Sequence, residues 1–287
     1  MVNQTQSFAP HNPLTKHFRQ PALYLKLPSG GAHWPEGSID LPLNNEIAVL
    51  PMSTKDEITL KTPDALLNGQ GVVNVIESCC PAIKDAWLMP SIDVDSAIIA
   101  IRIASYGNQM DFGATCPKCS ESSDYAIDLS VVLGNITAPL YTQMVDVAEL
   151  KIKLKPQAYF NVNKSNMIAF EEQQIMKTLG QLNDNPEELK KVFDQQLSKI
   201  IDLNVSLLVG STDYIELPDG SIVSDEAFIN EFYSNCDANA IKAIKTKLTE
   251  LAKQGGIKPI DVNCHSCSAE FSVSVEFDFA SFFAVGS

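Results

Sequence analysis

The chain has 287 residues, of which 45% are hydrophobic and 20% are charged, so it is long enough to bury a substantial core. Its 21 lysine and arginine residues are outnumbered by 35 aspartate and glutamate residues, which gives a formal net charge of −14. This charge repels phosphate and argues against nucleic acid or an anionic membrane as the main partner. No apolar run is long enough for a bilayer span or a signal peptide, and we expect the chain to stay in the cytosol where it is made.

The amino-terminal residues 1–20 are rich in Gln, Asn, Pro and Ser, with Phe8 and Phe18 as isolated aromatic residues. A segment of this composition cannot bury enough surface to fold by itself, so it predicts an extended arm. An alternating stretch, 23–27, and a second short strand, 46–51, then predict the start of a small sheet.

A helical block follows this sheet, so residues 21–115 are predicted to combine both. Thr54 and Glu57 have the spacing of a capping box, and Asp93 or Asp95 is expected to open an apolar helix that ends at Gly107. Arg102 is the one charge in the apolar part of that helix. We expect its side chain to reach the surface or to pair with a carboxylate.

The seven cysteines include two CxxC motifs, Cys116–Cys119 and Cys264–Cys267. Each CxxC motif can form a zinc knuckle, a tight turn that points both sulfurs at one ion. Two such knuckles supply the four thiolates of a tetrahedral zinc site. Because all four ligand positions are filled, no position is left for water and the zinc is predicted to be structural. His265 lies inside the second knuckle and is predicted to be solvated.

An alternating stretch follows each knuckle, 125–131 after the first and 271–279 after the second, and each predicts a half-buried strand. We therefore expect a zinc ribbon split between residues 116–137 and 259–287. Residues 140–258 are then an insertion, which is tolerated because closure entropy grows only slowly with loop length. The alternative to a zinc site is a redox dithiol like that of thioredoxin. In such a site the CxxC motif lies at the start of a helix, whereas both motifs here precede predicted strands.

The insertion is predicted to be mainly helical, with helices near 165–182 and 186–203, a hairpin on Asp219-Gly220, and helices from Ser224 and Asp237. Three lysines, Lys151, Lys153 and Lys155, lie on or next to the predicted strand 150–154. They suggest an edge strand that is protected against pairing with other chains. The predicted fold class is α+β, with a helical block, a split four-Cys zinc ribbon and a large α+β insertion.

Motifs for phosphate, dinucleotide, zinc-protease and hydrolase sites are all absent from the sequence. Three of the four histidines fall within the first 33 residues, so a histidine-based catalytic centre is hard to assemble. We predict that the protein is not an enzyme.

Residues 40–130 resemble the baseplate proteins of T-even-like contractile-tailed bacteriophages, specifically the hub assembly group. The resemblance rests on Glu46–Met52, Thr54–Leu60, Thr62–Gly69, Ser78-Cys79, Asp93–Ile101, Arg102–Gly107 and Cys116–Cys119. It implies a non-enzymatic role in the central hub of the baseplate, beside tail-tube and tape-measure proteins, in virions assembled in the host cytoplasm.

Contacts with these partners are expected at the two ends of the chain, through Phe8, Phe18, Phe282 and Phe283.

The main alternative to a baseplate protein is a zinc-ribbon protein that acts with nucleic acid in transcription or replication. Such a protein would need basic residues around its knuckles, whereas Lys118 is the only one between Cys116 and Leu150.

Overall fold

A computed structural model describes the backbone of residues 12–62, 69–179, 186–274 and 282–283, and their side chains except for 171–179 and 186–197. The α-helices of these residues are α1 (Thr54–Leu60), α2 (Gln70–Cys79), α3 (Ser91–Tyr106), α4 (Leu129–Gly134), α5 (Tyr159–Leu179), α6 (Pro186–Gly210), α7 (Glu226–Asn235) and α8 (Ala238–Gln254). The strands are β1 (Leu23–Lys26), β2 (Glu46–Val49), β3 (Gln109–Thr115), β4 (Ser122–Asp128), β5 (Met144–Val147), β6 (Leu150–Leu154), β7 (Thr212–Glu216), β8 (Ile222–Val223), β9 (Ile260–Asn263) and β10 (Glu270–Val273). No helix in this described part is long and apolar enough to cross a bilayer.

The strands form small antiparallel sheets, and the predicted α+β class is confirmed. Three sheets are pairs, β1 with β2, β3 with β4 and β9 with β10, and the fourth has the order β5-β6-β7-β8.

The lysine-rich strand β6 therefore lies inside a sheet, and the prediction of an edge strand is wrong. Its lysines lie among polar groups, since Lys151 approaches Glu216 at 3.7 Å and Lys153 donates to the Thr142 carbonyl at 3.1 Å.

The main core lies in the helical block, where apolar residues of α2 and α3 pack together with β1 and β2. Helix α3 begins at Ser91, and Asp93 in its first turn is fully buried. The Asp93 carboxylate accepts hydrogen bonds from the Ser29 backbone N–H at 2.8 Å and from Trp34 Nε1 at 2.9 Å, so it fixes the loop after β1. The capping box of α1 uses Ser53 and Asp56, one residue earlier than predicted.

The described part of the predicted amino-terminal arm is not fully extended. Pro13–His17 form a 3-10 helix without buried residues, and Phe18 is 56% exposed. Arg19 then anchors the segment, because its guanidinium donates to the Pro51 carbonyl at 2.9 Å and to the Asp56 carboxylate at 3.0 Å. Phe8 lies outside the described residues.

The carboxyl-terminal residues Phe282 and Phe283 are buried, with only 1% and 6% of their surfaces exposed, and both belong to the main core. The prediction that they are free for partner contacts is therefore wrong, since their rings fill the chain's own interior. Arg102 is buried as well, and its Nη1 donates to the Phe282 carbonyl at 2.6 Å. Of the two expectations for Arg102, reaching the surface is therefore excluded.

The insertion has a second core, in which the four-stranded sheet packs against α7, α8 and the end of α6. The predicted hairpin is confirmed, with Gly220 in the left-handed conformation that the turn requires, at φ +82°. The predicted apolar stripe on the last helix also faces this core, where Ile244 and Leu251 are buried. The insertion contacts the helical block through Tyr159, whose ring stacks on Trp87 at 5.6 Å between centroids.

Candidate metal centre

Each CxxC motif forms the turn of a β-hairpin. The first connects β3 to β4, where Thr115 pairs with Ser122, and the second connects β9 to β10, where Asn263 pairs with Glu270. Each turn is therefore six residues long, 116–121 and 264–269. Strands β3 and β9 were not predicted from the sequence, although Met110 and Phe112 alternate with other residues ahead of the first knuckle.

The two turns share the same backbone hydrogen bonds. In the first, the Cys116 N–H donates to the Glu121 carbonyl and the Ser120 N–H donates to the Cys116 carbonyl, both at 2.9 Å. In the second, the Cys264 N–H donates to the Ala269 carbonyl and the Ser268 N–H to the Cys264 carbonyl, again at 2.9 Å. Ser120 and Ser268 both have positive φ, 60° and 55°, which turns the chain so that the two cysteines of a motif face the same point.

The four sulfur atoms come together, as the sequence predicted. All of them lie within 4.8 Å of one another, although the two knuckles are far apart in sequence. The Cys116 and Cys267 sulfurs are 3.8 Å apart, and the Cys119 and Cys264 sulfurs are 3.5 Å apart. Zinc with four bonds of about 2.3 Å to sulfur places those sulfurs about 3.8 Å apart, so the donor set and its spacing fit zinc.

The cluster is buried on one side, because Cys116 and Cys264 are buried whereas Cys119 is exposed and Cys267 is half-buried. Backbone N–H groups of Cys267 and Ser266 donate to the Cys264 sulfur and lower the pKa of that thiol to about 7. A thiolate is the form that binds metal, so these hydrogen bonds favour the metal-binding form of Cys264. Metal binding must weaken as the pH falls, because protons then compete for the sulfurs.

Aromatic contacts join the two hairpins near the cluster. The Tyr125 ring on β4 lies 4.8 Å from the His265 ring and 6.1 Å from the Phe271 ring, measured between centroids. His265 is exposed, as predicted for a residue that is not a ligand, and it packs on Tyr125. These contacts join the two hairpins beside the sulfurs.

The predicted strand after each knuckle is only partly confirmed. Strand β4 ends at Asp128, whose side chain accepts the Ser130 N–H and caps α4, so Leu129 and Val131 lie in a helix. Strand β10 begins at Glu270 and ends at Val273. Phe277 and Phe279, which continue the alternation, lie outside the described residues.

The ends of the insertion meet beside the ribbon. The Gly256 N–H donates to the Thr137 carbonyl at 3.1 Å, and these two residues form an isolated antiparallel bridge. The chain therefore leaves for the insertion and returns at nearly the same point. This geometry agrees with an insertion into a discontinuous domain, whose boundaries remain a prediction.

Replacing residues 140–254 by a short Gly/Ser linker should leave a protein that still binds one zinc per chain, because the two ends already meet and closure entropy changes slowly with length. Its stability should be lower, because Tyr159 no longer covers Trp87. Zinc content and circular dichroism of the shortened protein check this prediction. A protein whose helical block folds but binds no zinc would show that the insertion belongs to the same core as the ribbon.

The fold and the site define an α+β protein whose two distant hairpins converge on four cysteines. A model of the family described as T4 bacteriophage base plate protein matches residues 26–284, and the chain belongs to this family. The match runs through residues 140–258, so the insertion is included in the family match, whereas the resemblance noted in the sequence stopped near residue 130. No curated protein and no solved structure matches the chain.

Proposed function

We propose that the protein is a non-enzymatic component of the central hub of the baseplate, where it binds other tail proteins. The observation that carries this proposal is the family match, which covers the helical block, the insertion and the ribbon. The resemblance of residues 40–130 to the hub assembly group favours the hub among positions in the baseplate. Tail-tube and tape-measure proteins are the expected neighbours.

We propose further that Cys116, Cys119, Cys264 and Cys267 hold one zinc ion with a structural role. Four thiolates fill a tetrahedral zinc, so the bound ion has no free position for a substrate or a reactive water. The ion would join two hairpins that share no strand pairing among the described residues. A joint of this kind gives the protein a rigid surface on which partners can assemble.

The surroundings of the knuckles support protein rather than nucleic acid as the partner. Asp111, Glu121 and Asp124 are exposed on the first hairpin, with Lys118 as its one basic residue. A phosphate backbone would be repelled by this surface. A redox role is disfavoured because each CxxC lies in a hairpin turn and not at the start of a helix.

The amino-terminal arm is the proposed partner contact. Leu14 and Phe18 are 61% and 56% exposed, and both lie within five residues before the anchor formed by Arg19. Exposed apolar residues on a segment with little burial of its own are suited to binding a second protein. The carboxyl-terminal pair Phe282 and Phe283 is not part of this proposal.

Deleting residues 1–18 should weaken incorporation into tails while leaving the melting temperature of the isolated protein unchanged, because the described residues 12–18 bury no side chain and Arg19 is kept. Mass spectrometry of purified tails and thermal unfolding measure the two effects. The control is Arg19→Ala in the full chain, which should lower the melting temperature. Normal infectious tails with the truncated protein, or submicromolar DNA binding by the intact protein at physiological salt, would contradict the proposal.

A further inference from the structure

A groove lies between the two hairpins of the ribbon. It has a volume of about 400 Å³, and it is lined by residues 126–128 of β4, by α4 and by residues 258–262 around β9. Successive side chains of a strand point to opposite faces of a sheet, so a strand that lines a groove with its face contributes every second residue. Here three consecutive residues of β4 and three of β9, 260–262, line the groove. Both strands therefore present their edges to it.

Both edges carry backbone groups that have no strand partner. Strand β4 pairs only with β3, and β9 pairs only with β10, among the residues that the structure describes. An unpaired strand edge offers a row of N–H and C=O groups to another extended chain. Because two such edges line one groove, a single extended segment can pair with both of them.

We infer that the groove binds an extended segment of another tail protein, which completes a five-stranded sheet between β3-β4 and β9-β10. The inference rests on the proposed baseplate function. In recognition by strand addition, backbone hydrogen bonds provide affinity and alternate side chains provide specificity. The bound segment would join the two hairpins by backbone pairing, in addition to the proposed zinc ion.

The lining of the groove determines the chemistry of this segment. Ile127 is buried and Ile260 packs against the same main core, so the floor of the groove is apolar. Asp128 on β4 and Asp261 on β9 bring a negative charge from each side, whereas Lys258 is the only basic residue among the described lining residues. The segment should therefore carry apolar side chains at every second position and no acidic residue beside the two aspartates. Charge complementarity of this kind favours the correct partner over acidic segments.

The described part of the chain offers no free strand for this place. All ten of its strands already pair along at least one edge, whereas the occupant of the groove needs both edges free. A strand from a second copy would have to leave its own sheet before it could bind. A separate protein that supplies a lone extended segment meets the requirement directly.

Hydrogen exchange of the protein in purified tails, compared with the free protein, tests the inference. Peptides that cover residues 122–128 and 259–263 should exchange about tenfold more slowly or more in tails, because edge amides gain hydrogen-bond partners. Strands β5 and β8 are the internal control, since they are the outer strands of the four-stranded sheet and each also has one unpaired edge. Their exchange should not change.

A substitution in the groove provides the second measurement. Val131 lines the groove and is 60% exposed, so Val131→Glu adds a negative charge there without opening the core. Incorporation into tails should fall by about tenfold or more, and the melting temperature should stay unchanged. Ile222→Glu is the matched control, because Ile222 is 61% exposed on β8 outside the groove and should be incorporated normally.

The failures have separate meanings. Unchanged exchange at both edges, equal slowing at β5 and β8, or normal incorporation of Val131→Glu would overturn the inference and leave the proposed function intact. Slower exchange of the free protein at higher concentration, or with an added synthetic peptide of residues 1–18, would assign the groove to copies of this chain and overturn it as well. If purified tails do not contain the protein, the proposed function is wrong, and the inference is overturned with it.

Discussion

Replacing Cys264 with serine is expected to remove bound zinc and to lower the free energy of unfolding by several kcal/mol. A serine hydroxyl is not ionised at neutral pH and replaces one of four ligands poorly, and structural zinc contributes roughly 10 kcal/mol or more to folding. Cys264 is also 2% exposed, so its replacement changes the buried side of the cluster. Elemental analysis and thermal unfolding measure the two losses.

The matched control for this variant is Cys236→Ser, which changes a cysteine outside the cluster. It should keep one zinc per chain. Full zinc content together with full stability in Cys264→Ser would show that the four sulfurs do not form the site.

Replacing Phe282 with alanine is expected to destabilise the protein by about 3–5 kcal/mol, the usual cost of emptying a buried phenylalanine site. Phe282 is one of the largest fully buried side chains of the main core, and its ring also lies 5.1 Å from the Arg102 guanidinium carbon. Phe282 and Phe283 therefore complete a core that also contains Leu25, far away in the sequence. Chemical denaturation of the variant measures the loss.

Phe228→Ala is the matched control for this second variant, because Phe228 is 64% exposed and its removal opens no cavity. It should change stability by less than about 0.5 kcal/mol. An equally small change in Phe282→Ala would mean that the carboxyl-terminal pair is not part of the core, and would restore it as a partner contact.

The features predicted correctly from the sequence are those that neighbouring residues determine. The CxxC knuckles, the Asp219-Gly220 turn and the stripe on α8 each depend on spacing within a few residues. Helix α3 was also predicted, although it begins at Ser91 and not at the aspartates, because Pro90 precedes it and Asp93 turns inward to Ser29 and Trp34.

The features that the sequence did not show depend on contacts between distant residues. The alternation that begins at Phe271 identified strand β10, but nothing local indicated that Phe282 packs near Arg102, 180 residues away. The place of β6 in its sheet depends on β7, which follows only after two long helices. Lysines on one face of a strand are compatible with an edge or an inner position, and only the sheet order decides between them.

Native mass spectrometry of the full chain as purified shows whether a structural zinc closes the split ribbon. We expect a mass increase of one zinc ion per chain, which is lost on acidification or chelation together with the folded hairpins. A folded protein that carries no metal, or one whose four cysteines are paired in disulfides, would contradict it.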